Sequence, residues 1–163
     1  MNKIRPIVLA LAVALAGLMA YGLFTLPSAK TADYEGFSAE RVVNDIEVIS
    51  KEHHSVAHPE ERAKVREYLV ERLEGLGADT VQIFRYDSLV GPQNKHVVYT
   101  FDAYDVLAEF PPLQASQDTT YMMFVAHYDS RYSQPVLKDT VWSYGAADDG
   151  YGVGVTLETV SQA

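Results

Sequence analysis

The sequence predicts an α/β or α+β domain with a mixed sheet, and three observations support this fold class. Two helical patterns come first, strand-like segments rich in Val, Tyr and Phe follow, and another helix begins near the end. Residues 121–126 form a short, continuous apolar run, which is typical of a central strand buried on both faces. Because helices and strands of this kind pack in layers around one core, we expect one domain behind a separate N-terminal segment.

Two amphipathic helices are expected at the start of the domain. Ser38 is a suitable N-cap for a helix that runs to about Lys51, and Pro59 suits the first position of a second helix that stops at Gly77. The predicted buried faces are Val42, Val43, Ile46 and Ile49 in the first helix, and Val65, Leu69, Leu73 and Leu76 in the second. The charged residues of the second helix, Arg62 and Arg66 among them, are expected to lie mostly in solvent.

The strand-like segments begin after Gly77. Residues 81–86 alternate in character and predict a first strand. Residues 97–108 predict one long strand, or two joined by a bulge, which ends before Pro111. The run 121–126 is the predicted central strand, and the apolar residues from Val153 onwards predict that the chain enters a helix.

Residues 1–26 are predicted to be a signal anchor that crosses the membrane as one helix. Lys3 and Arg5 precede residues 7–26, which carry no charge. Twenty helical residues span about 30 Å, the thickness of the hydrocarbon core. With the two basic residues held inside, the domain would face the outer side: periplasmic, extracellular or lumenal. The alternative is a cleaved signal peptide and a secreted protein, although residues 27–32 make a poor cleavage site.

The remaining organisation is a linker over residues 27–37 and a domain over residues 38–163. The chain has no cysteine, so disulfides and thiolate metal sites are excluded. Its net charge of −9 argues against nucleic acid as a partner.

His127 and Asp129 directly follow the predicted central strand. In open α/β sheets, ligands bind beyond the carboxyl ends of the strands. Residues two apart on extended backbone point to the same side. An imidazole suits zinc, and a carboxylate can orient it by accepting its other N–H; alternatively, both residues bind the metal. Taken alone, the pair fits a hydrogen-bonded structural role better.

Asp148 and Asp149 form a second acidic motif between Gly145 and Gly150. Adjacent carboxylates repel each other, so burying both without a cation is costly. Acidic residues before a helix also have a simpler interpretation, which is capping of its N-terminus. Together with His127 and Asp129, the metal-binding interpretation is favoured.

The two motifs, 127–130 (HYDS) and 145–152 (GAADDGYG), together resemble the signature of the co-catalytic two-zinc aminopeptidases. That family includes bacterial exported aminopeptidases, plasma glutamate carboxypeptidase, glutaminyl cyclase and membrane-anchored endoplasmic reticulum metallopeptidases. Residues 58–77 are similar to its leading helix, so the resemblance covers about residues 38–163. It implies a three-layer α/β/α, phosphorylase/hydrolase-like zinc-peptidase fold with a mixed central sheet, here incomplete at its C-terminus.

The resemblance also implies roles for individual residues. His127 would bind one of two Zn²⁺ ions, and Asp148 would bridge both metals. Asp129 would be the catalytic residue that orients His127, and Asp149 would have a supporting role. The substrate would be a peptide with a free N-terminus.

The family site further needs a Glu–Glu pair, another acidic ligand and a second histidine, all downstream of the acidic pair. Only Glu158 follows Asp149 here, so we expect an N-terminal fragment that is inactive by itself. Two other functions stay open: a non-catalytic membrane-anchored ectodomain of the same fold, and a glutaminyl-cyclase-like acyltransferase. His53, His54 and His58 lie before the Pro59 helix and are expected in a surface loop rather than at a metal.

Overall fold

The computed structural model describes residues 4–24, 28–90, 100–112, 120–131 and 144–162. In these ranges the helices are α1 (Ile4–Phe24), α2 (Ala39–Ile49), α3 (Pro59–Gly75) and α4 (Tyr151–Ser161), and the strands are β1 (Thr80–Val90) and β2 (Thr100–Glu109). A kinked turn over Ala146–Gly150 leads into α4. Helices together with a small sheet are consistent with the predicted α/β class.

Local sequence signals set the ends of α2 and α3. The Ser38 hydroxyl accepts a hydrogen bond from the Arg41 amide, so it is the predicted N-cap. Pro59 occupies the first turn of α3. Gly77, with φ +92°, follows the end of that helix in a conformation that favours glycine. The predicted helix ends are therefore confirmed to within about two residues.

The sheet is a β-hairpin. β1 and β2 pair antiparallel, from Thr80 opposite Glu109 to Val90 opposite Thr100. The register shifts between Tyr86 and Leu89, where Ser88 has φ 55°. The bulge thus lies in β1, not in β2, and β1 continues beyond the predicted end at Tyr86. Residues 97–99 of the predicted second strand lie outside the described residues.

The core lies where α2, α3 and α4 meet. Its buried members are Ile49, Val65, Leu69, Val153 and Leu157. Helices α2 and α4 approach closely at Gly154, where a Cβ would lie 3.0 Å from the Val42 carbonyl oxygen. A larger residue at this position would force the two helices apart.

Two side-chain assignments in the helices were wrong. Val43 is 48% exposed, because the buried face of α2 runs through Val42, Asp45 and Ile49. Asp45 is buried because Arg72 and Tyr68 both donate hydrogen bonds to its carboxylate. Arg62, which was expected in solvent, is only 5% exposed, since its guanidinium donates to the carbonyl oxygen of Asp102 on β2.

The predicted central strand is the main error in the fold. Residues 121–126 form no strand, and Tyr121, Met122 and Val125 are 91%, 82% and 82% exposed. A central strand needs a hydrogen-bonded neighbour on each side. In the described parts of the chain the sheet contains β1 and β2 alone, so this segment has no such neighbour. A three-layer arrangement with a mixed sheet is accordingly not seen there.

Helix α1 coincides with the predicted membrane segment. Its side chains are described for residues 7–22, and almost all of them are exposed. Among the residues that the structure describes, no helix meets the length and hydropathy needed to cross a bilayer. The predicted transmembrane helix is therefore not supported.

Candidate metal centre

His127 lies between the two aspartates that the sequence predicted as its partners. Its Nε2 is 3.1 Å from Oδ1 of Asp148. On the other side of the ring, Nδ1 is 3.2 Å from the carbonyl oxygen of Asp129 and 3.6 Å from its carboxylate. The structure thus brings together the three predicted site residues, although 18 residues separate Asp129 from Asp148 in the chain.

The two side chains of the acidic pair have different partners. Asp148 is 80% exposed at its side chain and faces His127. Asp149, joined to Asp148 by a cis peptide bond, instead accepts a hydrogen bond from the Gly152 amide in the first turn of α4, at 3.0 Å. A Cβ at Gly152 would overlap that carboxylate, so a larger residue there would displace the Asp149 side chain from this hydrogen bond. The helix-capping interpretation therefore describes Asp149 correctly.

The charges around His127 favour its protonated form. Burial alone lowers the pKa of His127, but the hydrogen bond with Asp148 and the negative charge of Asp129 outweigh it and raise the pKa overall. Because a metal binds the neutral imidazole, metal and proton would compete for Nε2.

The His127–Asp148 pair meets only part of the ligand number and spacing that zinc requires. No group of three or more His, Asp or Glu side chains able to hold a metal is found among the residues with described positions. Two ligands of a tetrahedral zinc, at about 2.0–2.2 Å from the ion, lie roughly 3.3 Å apart. The His127–Asp148 separation of 3.1 Å is close to that value. These two residues therefore fit one ion in type and spacing, as an incomplete set.

A buried support beneath the site was missed in the sequence. His54 is 1% exposed; its amide donates to the Ser130 hydroxyl at 3.1 Å, and its Nδ1 lies 2.9 Å from the Glu52 carbonyl oxygen. A Cβ at Gly145 would lie 3.3 Å from the His54 ring. The expected surface loop is wrong for His54 and Ser55, since both are buried. No periodic pattern marks residues 50–58, so the sequence carried no signal of this contact.

Comparison with known proteins gives one partial match to a family model. Residues 105–163 match the family model described as Peptidase family M28. No curated protein and no solved structure matches the chain. The matched part contains His127, Asp129, Asp148 and α4. This match covers about a third of the chain and, over residues 105–163, supports the resemblance to the co-catalytic zinc aminopeptidases.

Proposed function

We propose that this chain contributes to the zinc centre of a metallopeptidase of aminopeptidase type. The observation that carries the proposal is the His127 imidazole held between Asp129 and Asp148. The family match supports a peptidase in general. The aminopeptidase type, and hence a peptide substrate with a free N-terminus, is inferred from the motif resemblance alone.

Each residue of the centre has a separate task. His127 and Asp148 would hold zinc, and the family resemblance implies that Asp148 would be shared between two ions in a complete site. Asp129 holds the imidazole ring in orientation from the Nδ1 side, which sets the tautomer that leaves Nε2 free for the metal. When bound, zinc supplies an activated water and stabilises negative charge on the peptide carbonyl oxygen.

The general base is not supplied by Glu158. Its carboxylate is fully buried and accepts hydrogen bonds from Arg41 and the Ser38 amide. A general base contributes a factor of about 10² to 10⁴ to the rate, so turnover requires a base other than Glu158.

We also propose that the domain acts outside the cytoplasm, either anchored or after removal of its leader. Lys3 and Arg5 before an uncharged segment support export. A fusion of the domain to alkaline phosphatase, which is active only after export, tests this location: an active fusion supports it, and an inactive fusion that is stably expressed contradicts it.

Zinc binding to the full chain, kept in a non-ionic detergent, tests the proposed centre. We expect one zinc per chain by titration calorimetry and by metal analysis after dialysis. His127→Ala and Asp148→Asn should each weaken zinc binding by at least about tenfold, because each removes one ligand.

Asp149→Asn is the matched control for Asp148→Asn. It also removes one carboxylate charge, one residue away, but from a side chain that caps α4. We expect it to keep zinc affinity within about threefold of the wild type and to change the urea midpoint little, because the asparagine oxygen can still accept from the Gly152 amide. A cooperatively folded wild type that binds no zinc would instead favour a non-catalytic binding module. Equal loss in both aspartate variants would contradict the assignment of Asp148.

A further inference from the structure

Arg62 is a buried cation whose hydrogen bonds are incomplete. It lies in the first part of α3, is 5% exposed, and donates from Nη2 to the carbonyl oxygen of Asp102 at 2.6 Å. Its Nε–H is buried and has no hydrogen-bond partner in the described part of the chain. A buried donor left without an acceptor is costly, and more so on a charged group.

The other partly buried arginines behave differently. Arg41 pairs with Glu158, and Arg72 pairs with Asp45. In the ranges that the structure describes, no carboxylate lies within ion-pair distance of Arg62 or its neighbour Arg66. A desolvated guanidinium without a direct ion pair is costly, so an anion from outside the chain that bonds to Arg62 would relieve part of that cost.

Both arginines line a cavity of about 480 Å³ between α3 and β2. The Arg66 guanidinium stacks 3.9 Å above the ring of Tyr104, which also lines the cavity. This contact restricts the Arg66 side chain before any ligand arrives. The volume falls in the range of small-molecule sites.

In the described part of the chain, neither acidic residue of the cavity wall forms an ion pair with these two arginines. The Asp102 carboxylate accepts hydrogen bonds from the Ser88 amide at 3.1 Å and from Arg85 at 2.8 Å, and these lower its pKa; the Arg62 charge adds only a smaller effect in the same direction. Glu60, in the first turn of α3, also lines the cavity but forms no ion pair with either arginine among the described residues. The Arg62 guanidinium therefore has no carboxylate within hydrogen-bond distance among these residues.

Tyr128 lies beside the same two arginines, although it is not part of the cavity wall. Burial raises the pKa of Tyr128, while contact of its hydroxyl with Arg66 and the charges of Arg66 and Arg62 act in the opposite direction. The two guanidinium groups are therefore close enough to act on one neighbouring side chain.

We propose that the cavity between α3 and β2 binds a carboxylate group, held by Arg62 and Arg66. A planar carboxylate matches the fork of a guanidinium, and its second oxygen can accept from the other arginine. The carboxylate comes either from the C-terminus of a peptide or from a small organic acid. Neither source requires zinc, so this site is independent of the proposed peptidase function.

A pair of matched probes tests the proposal on the wild-type full chain. N-acetyldialanine carries the carboxylate, and its C-terminal amide has nearly the same size and shape without the charge. NMR of arginine Nε–H groups reports binding directly. We expect the Arg62 Nε–H signal to shift with N-acetyldialanine at a Kd of about 1 mM, and not to shift with the amide.

Variants locate the binding. Arg62→Gln assigns the signal, and Arg66→Gln should weaken binding by at least about tenfold. Lys64→Gln is the matched control, because it removes the same charge from the same helix at a position outside the cavity wall. It should leave the Kd within about twofold. If Arg62→Gln does not fold, sequential assignment of the wild-type spectrum identifies the Arg62 signal instead.

The proposal would be overturned by an unchanged Arg62 signal with N-acetyldialanine, by equal binding of acid and amide, or by equal loss of binding in Lys64→Gln and Arg66→Gln. Inorganic phosphate that binds more tightly than N-acetyldialanine would also overturn it, in favour of a general oxyanion site. If binding is confirmed, acetate with the same Kd identifies a small acid as the ligand, and tighter binding of N-acetyldialanine identifies a peptide C-terminus.

Discussion

At the residue scale, His54 connects the two segments that carry the candidate metal ligands. Its amide bonds to Ser130, next to Asp129, and its ring packs on Gly145, shortly before Asp148. Gly145 itself has φ +74°, a conformation that favours glycine. His54 thus holds Asp129 and Asp148 in register without contacting either, so we interpret it as a positioning residue.

This interpretation predicts coupling between His54 and Gly145. His54→Ala should lower the free energy of unfolding by about 2–3 kcal/mol, because it removes the bond from Nδ1 to the Glu52 carbonyl oxygen and leaves a cavity. Gly145→Ala should cost about 1–2 kcal/mol from its positive φ alone, plus the close contact with the ring. In the His54→Ala background, the cost of Gly145→Ala should fall by about 0.5–1 kcal/mol, because that contact is removed. Urea unfolding of the wild type, the two single variants and the double variant measures each free-energy change.

Gly75→Ala is the control for these substitutions. Gly75 lies at the end of α3, has no atoms within 4 Å of an added Cβ, and does not have a positive φ. Alanine there should be neutral or stabilising by up to about 1 kcal/mol. Strictly additive costs for His54→Ala and Gly145→Ala would show that the ring contact does not couple the two segments.

At the scale of elements, Arg41 and Glu158 join α2, α4 and the predicted linker. Arg41 donates to both carboxylate oxygens of Glu158, at 2.9 and 2.6 Å. The same guanidinium donates to three backbone carbonyl oxygens of the linker, those of Ala32, Tyr34 and Gly36. These bonds hold residues 32–36 against α2.

This junction predicts acid sensitivity. Burial alone raises the pKa of Glu158, but hydrogen bonds from Arg41 and the Ser38 amide outweigh it and lower the pKa overall. A pKa below the unfolded value of about 4.3 stabilises the fold above that pH, and this stability is lost as the pH falls through the folded value. We expect the wild-type urea midpoint to drop between about pH 5 and pH 3.

Glu158→Gln should show a lower midpoint at pH 7 and a flatter pH profile, because the glutamine does not titrate. Glu47→Gln, an exposed glutamate of α2, is the control and should keep the wild-type profile. Parallel profiles for wild type and Glu158→Gln would mean that another carboxylate causes the acid transition.

At the scale of the whole molecule, the sequence predicted local features better than distant ones. Ser38, Pro59 and Gly77 act on backbone groups a few residues away, so the ends of α2 and α3 could be read directly. The buried positions of Arg62 and His54 depend on contacts with Asp102 and Ser130. Those partners are 40 and 76 residues distant, beyond any periodic pattern.

The site and the central strand show the same contrast. His127, Asp129 and Asp148 meet as predicted, because each motif has a distinctive residue order around a tight turn or extended segment. An apolar run, in contrast, predicts burial but does not indicate which part of the chain covers it. Residues 121–125 are exposed for this reason: within the described ranges no strand pairs with them.

This exposed apolar segment predicts self-association of the chain. Met122, Met123 and Val125 are 82%, 76% and 82% exposed, and contiguous apolar surface in water promotes association. Replacing Met122 and Val125 together with lysine should reduce association, measured by light scattering in dilute detergent. The free energy of unfolding should stay within about 0.5 kcal/mol of the wild type, since neither side chain belongs to the core.

Val43→Lys with Val48→Lys is the matched control, because it adds two charges at positions on α2 that are about half exposed. It should change association much less, since α2 already carries charged neighbours while residues 121–125 carry none. If both double variants reduce association equally, net charge rather than this segment governs solubility. If the Met122–Val125 variant unfolds at lower urea, the segment is buried in solution, as a central strand would be.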